Sequence, residues 1–292
     1  MIETAAKLMT SCLIVKEEAP RQETASVPKD IMSNSRWTHE QLKLAFHLYC
    51  QLPFGKLHSR NPEIIELAQL IGRTPSAVAM KLVNFASLDP AITATGRSGL
   101  GNASSLDRDI WDEFHADWEG LAVECNRLKS TLLESQGVTP TIGILEQDET
   151  IGLEDFTGET RRVVTEQRIK QHFFRRAVLS SYRGRCCMSG VSDGRLLLAS
   201  HIVPWSKDKS NRLNPSNGLC LSALHDRAFD RGLIGLSDEF TIIVSDQLRR
   251  NADQFLQKTL VDLDGSPIEL PERFLPDREF IARHRREVFE NM

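Results

Sequence analysis

LLLASHIVPWSKDKSNRLNPSNGLCLSALHDRAFDRG, residues 196–232, decides the fold of the C-terminal half of this 292-residue chain. Its apolar start, Leu196-Leu197-Leu198-Ala199, reads as a short strand that ends in Ser200-His201-Ile202-Val203-Pro204-Trp205. A polar loop with Lys207, Lys209, Arg212 and Pro215 returns through Asn217-Gly218-Leu219-Cys220-Leu221. A short helix then runs from Ser222 to Asp230, carrying His225, Asp226 and Asp230, and Gly232 ends it. Upstream, Arg185-Cys186-Cys187-Met188-Ser189-Gly190 is a tight turn, preceded by an amphipathic basic helix from Ile169 to Leu179 with Arg175 and Arg176. A histidine at a strand end is fixed by sheet hydrogen bonds, and a helix packed across that strand can aim a second group at the same point. Phosphodiester hydrolysis needs a base to activate water and a cation to neutralise the phosphate and the leaving oxygen. A strand His with a helix His or Asp around one cation can supply both. Asn217, between them, can tie loop to strand through its two-sided amide.

The runs C-x-x-S-G, L-L-x-A-S-H-I-x-P-W, R-x-x-P-x-N-G-L-x-L and L-H-D-x-x-F-D-x-G, in this order, resemble the HNH endonuclease family, in particular its restriction-type branch. The resemblance covers residues 167–236, and the tail from Asp264 through Pro271 to His284-Arg285 is similar to the segment C-terminal to such modules. It implies a ββα-metal unit over 165–292. In that unit His201 is the general base, Asn217 orders the loop close to the ion, and His225 is a metal ligand from the helix. The helix N-terminus and nearby Arg residues would hold the phosphate. Many family members carry Asp or His directly before the base. Ser200 stands there instead, so coordination leans on His225 with Asp226 and Asp230, of which Asp230 is preferred because Arg231-Gly232 continues the motif. The alternative that His201 itself binds the metal, leaving the base unassigned, stays open. Oxygen and imidazole ligands suit Mg²⁺ or Mn²⁺. Related modules hold zinc between two C-x-x-C pairs. Here Ser189 partners Cys186 and Cys220 stands alone, so no structural zinc is expected, and Cys186 and Cys187 read as small core residues.

The N-terminal half reads differently. Residues 1–35 are polar, carry Pro20 and Pro28, and form a disordered leader with neither the basic start nor the cleavage site of a signal peptide. Thr38-His39-Glu40-Gln41 has capping-box spacing, with Leu42, Ala45, Phe46 and Tyr49 on one helical face. Asn61-Pro62 and Thr74-Pro75 open two further helices joined at Gly72, the outline of a helix-turn-helix. Arg73, Ser76, Lys81 and Asn84 are the exposed candidates for reading DNA. Ile110, Trp111, Phe114 and Trp118 read as core, because acidic residues sit between them. Residues 36–135 thus form a helical recognition or interaction domain, and 136–164 form an acidic linker. The fold class expected is α+β.

Net charge is −4, yet residues 165–232 carry twelve Lys and Arg against five Asp and Glu, while 103–160 carry three against fourteen. A basic block beside an acidic one suits a phosphate-binding module next to a non-binding spacer. Arg175, Arg176, Lys207, Lys209 and Arg212 are its candidate DNA contacts. No apolar run is long enough for a membrane span, and six irregularly spaced cysteines suit a reducing cytoplasm. The expectation is a cytoplasmic endonuclease of defence type acting on double-stranded DNA. Double-strand cleavage at a symmetric site would favour a homodimer. Against it stands an inactive DNA-binding regulator with the same fold. An RNA-directed nuclease lacks the aromatic-rich basic strand that single-stranded RNA readers use.

Overall fold

Each helix of the N-terminal half starts at a residue able to cap it. A computed structural model describes residues 36–94, 101–138 and 158–289, so the expected leader and most of the acidic linker lie outside the described residues. Thr38 opens α1 (His39–Gln51) with a complete capping box, its hydroxyl accepting from the Gln41 N–H while the Gln41 side chain accepts from the Thr38 N–H. Asn61 caps α2 (Pro62–Leu70) and Thr74 caps α3 (Pro75–Ala86), each with proline in the first turn. Between them Gly72 takes φ +66°, a conformation that costs glycine little. A single turn, α4 (Pro90–Thr93), precedes α5 (Ser105–Ala116) and α6 (Trp118–Ser135). Phe46 on α1 is the centre of their packing, with the rings of Phe114, Phe85 and Trp111 at 4.6, 5.0 and 5.5 Å. Ile110, Phe114 and Trp118 are buried core residues.

The long helix α7 (Gly158–Ser181) packs against α1 and α6 and also against the first two strands. These are β1 (Leu197–His201) and β2 (Gly218–Ser222), an antiparallel pair with Leu197 opposite Ser222 and His201 opposite Gly218. Ser222 then caps α8 (Ala223–Asp230), which packs on both strands. A second antiparallel pair, β3 (Ile234–Leu236) and β4 (Ile242–Val244), leads to α9 (Asp246–Arg249), α10 (Gln254–Thr259) and α11 (Arg278–His284). The architecture is therefore α+β, with the β1–β2–α8 unit seated on α7. Gly218 permits this seating. A Cβ there would lie 2.3 Å from Val178 Cγ2 and 3.0 Å from the Phe174 ring, so only glycine lets α7 approach the strand.

The two halves of the chain are tied by one buried arginine and by half-buried ion pairs. Arg273, fully buried, donates to the carbonyl oxygens of Tyr49 and Cys50 at the end of α1 and to Ser180 Oγ on α7. Lys170 pairs with Glu119 at 2.7 Å and Arg176 with Glu63 at 2.6 Å. Part of the charge asymmetry along the chain is thus internal complementarity between helices rather than a surface held out to a partner.

The third helix does not present the expected reading face. Asn84 is buried, and Lys81 is drawn against the fully buried Asp107 at 3.0 Å. Arg73 donates to Gln41 and to the Arg36 carbonyl, and its guanidinium lies 5.0 Å from the Trp37 ring. Ser76 is exposed, beside the exposed apolar Met80. The correction has a simple cause. Long cationic side chains reach back along their apolar stems to carboxylates on neighbouring helices, which helical periodicity alone does not reveal.

Candidate functional site

His201 ends β1, and its environment fixes its chemistry. Nε2 lies 2.9 Å from the Arg212 carbonyl oxygen, a bond that requires the proton on Nε2 and leaves the lone pair on Nδ1. The ring stacks on Phe174 of α7 at 3.9 Å and meets the Trp205 edge at 5.5 Å. Arg212 is itself held, its Nε donating to the Trp205 carbonyl at 2.8 Å. Burial holds the His201 pKa below its ordinary value, against the opposing effect of the Arg212 carbonyl. A neutral imidazole with one committed nitrogen and one basic nitrogen is suited to accept a proton.

Asn217 builds the loop that carries Arg212. Its Oδ1 accepts from the Val203 N–H at 2.8 Å, and its Nδ2 donates to the carbonyls of Val203 at 3.2 Å and Asn211 at 3.1 Å. The side chain is fully buried and its amide is spent on backbone. The expected tie between loop and strand is present.

Successive strand residues point to opposite faces, so His201 faces α7 and Ser200 faces α8. Ser200 is buried, and its Oγ, which lies near Asp226, completes no hydrogen bond of ordinary geometry. Asp226 and Asp230 stand one turn apart on the same face of α8. Burial raises both pKa values, and for Asp230 the neighbouring Asp226 charge raises it further. Two carboxylates that repel each other beside an orphaned hydroxyl are an oxygen-donor set that a hard divalent cation would satisfy. The fit is partial, since among the described residues no three His, Cys, Asp or Glu side chains cluster as a metal cage. Ser200, phosphate oxygens and water would have to complete it.

His225, expected as the helix ligand, turns elsewhere. It is buried, with Nδ1 2.6 Å from Ser222 Oγ and Nε2 3.2 Å from the Thr259 carbonyl of α10. Cys186 Sγ lies 3.8 Å from the same Nδ1. Burial alone would push the Cys186 thiol up, but hydrogen bonds from His225, Ser189 and the Met188 backbone outweigh it and bring its pKa to about 6. His225 is one residue, about 100° of helix, away from Asp226, and it fastens α8 to α10 and to the Cys186 turn.

Most of the candidate DNA contacts are also committed. Arg175 donates to the carbonyls of Leu197 and Gly194, bracing the start of β1, and Arg176 pairs with Glu63. Lys207 pairs with Glu287 at 2.8 Å, while Lys209 is exposed. Lys209 and Arg212 line a cleft of about 540 Å³ with Asp117, Glu119 and Lys170, apart from the acidic pair of α8. The sequence reading takes Arg231 only as the continuation of the motif after Asp230 and names neither it nor Arg227 among the DNA contacts. Both are exposed, and both act electrostatically on Asp230. Their spacing of four from each other, one residue after each carboxylate, was the signal that could have found them.

Residues 186–237, which span this site, match the family described as HNH endonuclease. No match was found among curated proteins.

Proposed function

We propose that this chain, an HNH endonuclease family member over residues 186–237, is a metal-dependent endonuclease that hydrolyses phosphodiester bonds in double-stranded DNA. The observation that carries the mechanism is the bond between His201 Nε2 and the Arg212 carbonyl, which leaves Nδ1 as the basic nitrogen. In this reading Nδ1 takes the proton of the attacking water, and Phe174 and Trp205 keep the ring from turning. Asn217 acts at one remove, since it orders the loop whose carbonyl orients His201. Asp226, Asp230 and Ser200, on the α8 face of β1 and so across the strand from His201, would hold a divalent cation, Mg²⁺ or Mn²⁺ by the chemistry of oxygen donors, and base and cation would have to meet on one phosphate around the strand end. When bound, that ion supplies neutralising charge for the scissile phosphate and the leaving oxygen. His225 supports α8 rather than ligating.

A restriction or defence role, with the helical residues 36–135 choosing or holding the site and a homodimer cutting both strands, is the biological setting we propose. No described helix is long and apolar enough to cross a membrane, and the five described cysteines are all free. We place the protein in the cytoplasm. The test is incubation of the purified chain with plasmid and phage genomic DNA, modified and unmodified, in Mg²⁺, Mn²⁺ or chelator, beside His201→Ala and Asp230→Asn. Metal-dependent cleavage by the wild type that both variants lose is the expected result. Tight binding by all three proteins with no cleavage under any ion would instead favour an inactive DNA-binding regulator, for which the serine at position 200 is the supporting feature.

A further inference from the structure

The basic block at 165–232 holds more cations than it can offer to a partner. Lys170, Arg175, Arg176, Arg183, Arg195, Lys207 and Arg212 are each engaged with a carboxylate or a backbone carbonyl of the chain itself. Arg185, Lys209, Arg227 and Arg231 differ, since all are exposed and none makes a hydrogen bond or ion pair through its side chain among the described residues. Only Arg227 and Arg231 stand beside the acidic pair of α8. Cations near a helix C-terminus are favoured by the helix dipole, and that would account for their presence on α8. It does not account for their alternation with the only two carboxylates of the helix. At 100° per residue Asp226, Asp230, Arg227 and Arg231 fan out across one exposed sector, the carboxylates next to β1 and the guanidiniums on the far side. The charge of Arg227 reaches both carboxylates and that of Arg231 reaches Asp230, yet neither closes onto them as an ion pair.

We infer that Arg227 and Arg231 grip the DNA backbone, each taking a phosphate oxygen beside the one positioned over Asp226 and Asp230. The inference deepens the nuclease reading and rests on it. A guanidinium is suited to the task because its planar fork matches phosphate oxygens, and because it leaves the carboxylates free for a cation. Contacts of this kind fix the register of the duplex without reading bases, so they act on every sequence alike. The two arginines are positioning residues, acting on phosphates flanking the reacting one.

The test separates binding from cutting. Full-length protein is titrated with a short duplex DNA in chelator, where no cleavage occurs, across a range of salt concentrations. Arg227→Gln, Arg231→Gln and the double variant are compared with Arg250→Gln, an exposed arginine on another element that also lacks a side-chain partner among the described residues. Each α8 variant is expected to weaken binding about tenfold at low salt and to lower the slope of log affinity against log salt by about one, the double variant by about two, on unrelated duplexes alike. Arg250→Gln should leave the slope unchanged. Unchanged slopes in the α8 variants, or an equal fall with Arg250→Gln, would overturn the assignment, and metal-dependent cleavage by the same proteins would show that the nuclease reading survives it. Absence of salt-dependent binding by the wild type would overturn it as well, with plasmid cleavage deciding the nuclease reading separately.

Discussion

In the proposed mechanism metal binding turns on Ser200, because its buried hydroxyl lies against Asp226 without a hydrogen bond of ordinary geometry. Ser200→Asp would add a third carboxylate to the face of α8. Metal affinity, followed by Mn²⁺ titration calorimetry, should rise at least about tenfold, while the metal-free protein should melt lower, since a charge is buried beside like charges. Asp230→Asn should do the reverse. Removing a like charge one helical turn from Asp226 stabilises the metal-free fold by about 0.2–0.5 kcal/mol, read as a small rise in melting temperature, while Mn²⁺ binding falls. His225→Ala separates a structural from a ligand role. With Ser222 Oγ and the Thr259 carbonyl left facing a hole, stability should drop by about 1–3 kcal/mol, and Mn²⁺ affinity of the folded fraction should stay unchanged. A large loss of affinity in that variant would return His225 to the metal. The motif marked His225 as chemically special but not where its ring points. The partner that captures Nε2 lies on α10, 34 residues further along the chain.

At the scale of elements, the strand–loop–strand–helix order was legible because each boundary is a local event. Gly218 and Asn217 turn the chain into β2, Ser222 caps α8, and Gly232 at φ +67° ends it. The helices of the N-terminal half were legible for the same reason, since Thr38, Asn61 and Thr74 accept hydrogen bonds from their own first turns. What these caps cannot convey is which cations remain free. Lys81 and Arg176 meet Asp107 and Glu63, and in both cases the partner comes from a different helix. The seating of β2 on α7 gives a further prediction. Gly218→Ala forces Val178 and Phe174 away, which should cost about 1–3 kcal/mol of stability in urea denaturation. It should also slow DNA cleavage, because Phe174 is the surface on which His201 rests.

For the molecule as a whole, the acid limit of stability has identifiable sources in two histidines, His47, whose pKa burial holds down to about 3, and His284. His284 is the one that titrates first as pH falls. His284 stacks on Phe229 at 3.7 Å, its Nε2 lies 3.1 Å from the Phe229 carbonyl, and burial pulls its pKa down to about 4. The unfolded chain, with an ordinary histidine near 6.5, takes up this proton first. The stabilisation is therefore complete above about pH 6.5 and is lost as pH falls toward 4, about 3 kcal/mol across that window. Urea midpoints measured at several pH values should fall through it, and His284→Gln should make the decline shallower while leaving the part that His47 contributes.

Arg273 carries a consequence of another kind. A guanidinium from the far end of the chain is plugged into the carbonyls that finish α1, so α1 lacks its stopper whenever residues 165–292 are cut away, and the plug lacks its socket when 36–135 are removed. Such a pair is not a transplantable cassette. Grafting either half onto another protein would require the arginine and its receptacle to be moved together.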